Sequence, residues 1–275
     1  MDKKITRANY VNLINSLLII IMGTVSAVLI VIIIAAAIKM GAIASKLFYL
    51  IILFFLLLLV PTGIKIFKLS LSSIKIGGLI AKFGYTDVLF SHLSEKIARE
   101  KSPAKRAYHQ LVLASSLERG KRNEEALEVM SKVDYSSLRG FLCAEYYNCY
   151  AWIYLSMQDT ENAGRVLESG KFVIQPYRYS KLIGSAVNHT YAVYDYCLGK
   201  LNSAETLLLE AKGMSKFDTN ITSCDLFLAL IYLKTNRKEL ARDIIVKRIG
   251  HEGNPRNRED LQKLMKKIER AFAEA

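Results

Sequence analysis

The sequence predicts an all-α protein in which a two-helix transmembrane hairpin precedes a stack of about four helix pairs and a closing helix. Three observations lead there. Two long apolar runs carry no charged side chain, 8–38 and 47–64. Alanine pairs twelve residues apart recur down the rest of the chain, and the last eighteen residues form an amphipathic pattern. With 52% hydrophobic residues, the chain divides its apolar content between a bilayer and a second domain.

The first element is the hairpin of residues 1–65, with spans at about 14–38 and 47–64. The second run, LFYLIILFFLLLLVPTGI, rises about 27 Å as a helix, close to the roughly 30 Å of a hydrocarbon core. MDKKITR and the small residues Ala35, Ala36 and Ala37 resemble a signal peptide. The apolar stretch is too long for one, and a second span follows directly. Neither span holds an ionisable residue at mid-depth, which argues against a transporter acting alone. Gly23 and Ala27 offer a small-residue face for close helix packing.

Flanking lysines and arginines set the orientation. Lys3, Lys4 and Arg7 precede the first span, and Lys65, Lys68, Lys75 and Lys82 follow the second, against Lys39 and Lys46 in the loop between. The positive-inside bias puts both ends, and the whole repeat domain, on the cytoplasmic side of a two-span cytoplasmic-membrane protein. Cys143, Cys149, Cys197 and Cys224 form no CxxC pair and read as reduced thiols in helices.

Residues 66–103 form a juxtamembrane segment in which Lys68, Lys75 and Lys82 repeat every seven residues among isoleucine, leucine and phenylalanine. That stripe suits a basic amphipathic helix on a membrane surface, although Gly77 and Gly78 weaken any helix there and a plain linker competes with it.

In 104–257 the alanine pairs are Ala114 and Ala126, Ala151 and Ala163, Ala192 and Ala204, Ala229 and Ala241, offset by 37, 41 and 37 residues. A repeat of this length signals a stacked array. Two antiparallel helices approach closely where each offers a small side chain on either side of a tight turn, and Gln158-Asp159 is such a turn. YAWIYLSMQDTENAGRVL, with Ala151, Tyr154, Ala163 and Leu167, resembles the tetratricopeptide repeat, and LALIYLKTNRKELARDII does so with Ala229, Tyr232, Ala241 and Ile245. The other two units match at Ala114, Leu117, Ala126 and Met130, and at Ala192, Gly199, Ala204, Leu208 and Ala211. The units exceed the family's length, Asp195 stands at a usual aromatic position, and Arg248 replaces the fourth unit's second small residue. Residues 258–275 supply the polar-backed closing helix through Leu261, Leu264, Met265, Ile268 and Phe272.

Function is read from the face opposite the alanine contacts. The resemblance implies a groove lined by the first helix of each unit, and Tyr108, Asn148, Trp152, His189 and Tyr196 are its candidate partner-binding residues. Ordinary packing between units is the competing role, strongest for the aliphatic neighbours Leu111, Val193, Leu226 and Leu230. Family members that clamp a peptide carboxylate use lysine, arginine and asparagine where this chain has Leu111, Ser115, Cys149, Ala186 and Thr190, so that clamp is absent. No phosphate-loop, dinucleotide or HExxH signature occurs, and His92, His109, His189 and His251 are scattered, so neither cofactor nor metal is expected. The sequons at Asn188 and Asn220 are incidental on a cytoplasmic domain. Net charge is +13, and residues 66–275 hold 32 basic and 24 acidic residues, spread without a nucleic-acid motif; anionic lipid is the simpler partner.

The sequence therefore predicts a non-catalytic, membrane-anchored scaffold or adaptor that binds a protein partner or organises a membrane complex, with membrane lipid as its other contact and no small-molecule substrate. An integral accessory subunit of a transporter or enzyme complex, or an enzyme without a recognisable motif, are the alternatives.

Overall fold

The protein is described here by a computed structural model, which covers residues 78–80, 84–215, 218–252 and 255–273. The chain divides into two compact units, Met1–Gly84 and Tyr85–Ala275. The expected spans at 14–38 and 47–64, together with Lys68, Lys75 and Lys82, lie outside the described residues. Among the described residues, no helix is long and apolar enough to cross a membrane, and there is no strand.

The second unit is all-helical. Helix α1 (Asp87–Arg99) leads into α2 (Pro103–Arg119) and α3 (Asn123–Ser131), then α4 (Phe141–Ser156) and α5 (Thr160–Ile174). Next come α6 (Gly184–Cys197) and α7 (Leu201–Met214), α8 (Asp218–Lys234) and α9 (Lys238–His251), and finally α10 (Pro255–Ala273). Helices α2 to α9 pair as four consecutive hairpins, and each pair packs on the next. The first helix of a hairpin touches the first helix of its neighbour, and its second helix does the same, so the pairs stack in one direction.

The alanine spacing becomes physical at the centre of each hairpin. Ala114, Ala126, Ala151, Ala163, Ala192, Ala204, Ala229 and Ala241 have no solvent exposure. Each core cluster crosses a boundary between units: Ala144, Ala151 and Leu167 pack with Ile183 and Val187, while Ala192, Ala204 and Leu208 pack with Cys224 and Leu228. Thus the boundary between units is itself a core.

Every hairpin turns in one way. Lys121, Gln158, Gly199 and Asn236 take positive φ of 63°, 62°, 75° and 57°, each seven residues after the first-helix alanine. At the second turn the Gln158 amide donates to the Leu155 carbonyl (3.0 Å) and the Asp159 amide to the Tyr154 carbonyl (2.9 Å), the paired closure of a Schellman motif. The same two bonds close the other three turns. Asp159 then caps α5, accepting from the Asn162 amide at 3.0 Å.

The ends differ from the repeats. Segment 66–103, expected as a basic amphipathic helix or linker beside the membrane, contains α1, whose Leu89, Phe90 and Leu93 are buried and which packs on α2. At the other end Leu261, Leu264 and Ile268 of α10 pack on Ala229, Ala241 and Ile245, and the Lys238 ammonium donates to the Ala271 carbonyl at 2.6 Å. Helix α10 begins at Pro255, three residues before the expected start, because proline suits the first turn of a helix.

Arg248 is accommodated by a buried charge. Asp225, 2% exposed on α8, pairs with Arg248 of α9 at 2.8 Å and with Lys212 of α7 at 2.6 Å. The second unit solves the same register differently: a Cβ on Gly170 would lie 2.4 Å from the Tyr147 ring, so the bulk comes from the first helix and the space from the second.

Candidate functional site

The first helices α2, α4, α6 and α8 carry the candidate residues, because they touch one another in sequence while α3, α5, α7 and α9 back them. Trp152 follows Ala151 directly, so its indole leaves the hairpin interior and meets the next unit. The ring is half-buried, packed with Leu155, Ala163 and Val193. Its centroid lies 5.0 Å from that of His189 on α6, whose ring lies 5.8 Å from Phe227 on α8; Phe227 lies 5.6 Å from Tyr196. A continuous aromatic row therefore crosses three units, with tilted and edge-to-face geometry that favours ring quadrupoles.

Its electrostatics vary along its length. His189 is buried and its Nε2 is 2.8 Å from the Ser223 hydroxyl, and burial pushes its pKa down to about 4. The ring is neutral near pH 7. Tyr196 is half-buried, and the Lys234 ammonium sits 4.1 Å from its ring centroid, a cation–π contact at the open end of the row.

Trp152, His189 and Tyr196 are thus brought together through Phe227. Tyr108 is not part of the row: it is half-buried on α2 and its ring tilts against its neighbour His109 at 5.4 Å. Asn148 lies one turn before Trp152 but is buried, with 6% of its surface exposed. Phe227 and Ser223 were not singled out from the sequence; the signal for Phe227 was an aromatic adjacent to Leu226, one position off the assumed face. A one-residue rotation of α8 about its axis separates the two readings.

A polar neighbourhood adjoins the row at α4. The Ser156 hydroxyl donates to Glu118 of the preceding unit at 2.9 Å. Glu145 is half-buried with its Oε2 lacking a hydrogen-bond partner, and burial raises its pKa against the opposing pull of Arg119. Burial likewise pushes up the Cys149 thiol, so that cysteine is a protonated, apolar packing group. Cys143, Cys197 and Cys224 are also free thiols.

Elsewhere, a cleft of 280 Å³ lies between α1, α2 and α3, where Arg122 stacks 5.0 Å from the Phe90 ring and pairs with Asp87 and Glu125. Its charges are matched internally. Among the described residues, no group of three or more His, Cys, Asp and Glu side chains is placed to hold a metal ion. Asn188 has no exposed surface, its amide held by Arg178 and Met214, so that sequon is closed to glycosylation by burial alone.

Comparison with known protein families, with curated proteins and with solved structures finds no match to the chain.

Proposed function

We propose that this chain is a membrane-anchored, non-catalytic scaffold of tetratricopeptide-like repeats, held by the uncharged runs 14–38 and 47–64 with its repeats in the cytoplasm. There it recruits a protein partner or organises a membrane complex. The carrying observation is the aromatic row Trp152, His189, Phe227 and Tyr196, half-open and continuous over three units. A rigid run of rings flanked by polar groups suits capture of a short helix or extended segment, since aromatic side chains supply contact area at little entropic cost.

The test uses the full chain in native membranes, with crosslinking to identify partners and melting measured on the same sample. Trp152→Ala is expected to weaken capture by about 2 kcal/mol or more, roughly thirtyfold, while the array stays folded. Because Trp152 also packs against Val193, Tyr196→Ser serves as a second variant at the more open end of the row. If both variants fold and retain every partner, the aromatic row is only packing, and the hairpin becomes the interaction surface.

A further inference from the structure

The connection between the second and third units runs from the end of α5 at Ile174 to the start of α6 at Gly184. From the last turn of α5 to the start of α6, three large apolar side chains stand in solvent: Phe172 is 90% exposed, Tyr179 75% and Leu182 74%. No other large apolar side chain among those described exceeds 55%. A phenylalanine ring so exposed is costly in water, and these three side chains within eleven residues leave apolar surface uncovered along this connection.

The segment is ordered by its own bonds. Gln175–Tyr177 forms a 3-10 turn, the Ser180 amide donates to the Tyr177 carbonyl at 3.0 Å, and the Gly184 amide donates to the Ser180 carbonyl at 2.9 Å. Arg178 is drawn inward, its Nε donating to Asn188 at 2.9 Å, and this fixes the loop to α6. The exposure is therefore built, and the loop is anchored by a buried asparagine. Phe141, 39% exposed, continues the edge, since the hydroxyl of Tyr177 approaches within 3.9 Å of the Cβ position at neighbouring Gly140.

Charge selects the occupant. Between Glu168 and Asp195 there is no acidic residue, whereas Lys171, Arg178 and Lys181 all fall there. Lys171 pairs loosely with Glu168 at 3.3 Å on the exposed surface, and Lys181 is exposed. Exposed phenylalanine, tyrosine and leucine interleaved with lysine are the composition of an interfacial membrane contact: rings insert at headgroup depth and ammonium groups meet anionic phosphates.

We propose that the edge formed by Phe172, Tyr179, Leu182 and Lys181 docks on an anionic lipid surface and so fixes the orientation of the repeat stack above the bilayer. This inference rests on the membrane-anchored reading above. Docking converts a tethered unit into an oriented one.

The test reconstitutes the full chain in nanodiscs containing phosphatidylglycerol and lipids brominated at shallow or deep positions. A Trp152→Phe background leaves single tryptophans as reporters. Phe172→Trp is expected to shift to the blue and lose at least half its emission to shallow bromines, with the loss reduced severalfold in purely zwitterionic discs or with Lys181→Glu. Leu209→Trp, on a half-exposed α7 site, is expected to show no quenching. Leu57→Trp reports anchoring by its quenching with deep bromines. If Leu57→Trp is quenched and Phe172→Trp is not, docking is overturned and anchoring stands; if neither is quenched, the anchored reading falls and docking with it. A blue shift at Phe172→Trp that follows the number of chains per disc and ignores bromine marks a second copy as the occupant and overturns the lipid assignment.

Discussion

His109 and His189 are both held neutral by burial, with pKa values pushed from 6.5 down to about 4. At His109, Lys96 adds to the effect and Glu100 opposes it. The unfolded chain binds a proton at each site below about pH 6.5 while the folded chain does not until about pH 4, so stability is full above 6.5 and declines as pH falls through that window. Each histidine contributes a slope of up to about 1.4 kcal/mol per pH unit. Denaturant midpoints should therefore drop between about pH 7 and about pH 5, and His189→Gln should make the drop shallower. From the sequence His189 is expected to line the groove, and its burial is not legible there. One alanine per helix fixes rotation only to within a position, and the cover over His189 comes from Ser223 and Phe227 in the following unit.

At the level of elements, the turns were partly readable. A polar break after an aromatic helix pointed to Gln158-Asp159, and a glycine to Gly199, but lysine carries no preference that would mark Lys121 as left-handed. An L side chain in that conformation costs roughly 1–2 kcal/mol, somewhat less for asparagine. Lys121→Gly and Gln158→Gly are expected to raise stability by about 0.5–1 kcal/mol, and Gly199→Ala to lower it by about 1 kcal/mol, all measurable as shifts in denaturant midpoint at constant slope. The alanine pairs were the most legible feature, since close helix approach admits only small side chains and that demand recurs at fixed spacing. Exposure at Phe172, Tyr179 and Leu182 was illegible, because an apolar residue in a loop sequence does not reveal whether anything covers it.

Over the whole molecule, the fourth unit joins the third through charge as well as through apolar packing. The sequence marked Arg248 as out of pattern, yet its partner Asp225 lies 23 residues away on another helix, beyond any periodicity. Replacing Asp225 with alanine leaves Arg248, whose side chain is 14% exposed, with no counter-charge there, and should cost on the order of 3 kcal/mol. The double variant Asp225→Leu, Arg248→Ala should recover most of that loss, as removing both partners of a buried pair does. Repeat stacks bound only by nearest-neighbour packing can fray from a terminal unit while the middle persists. Lys212 and Arg248 sharing one carboxylate make such fraying unfavourable here, because peeling α8 and α9 from α7 takes the Asp225 carboxylate away from Lys212. In amide exchange, α7, α8 and α9 should then open together as one cooperative foldon, and Asp225→Ala should split it, letting the carboxy-terminal helices exchange first.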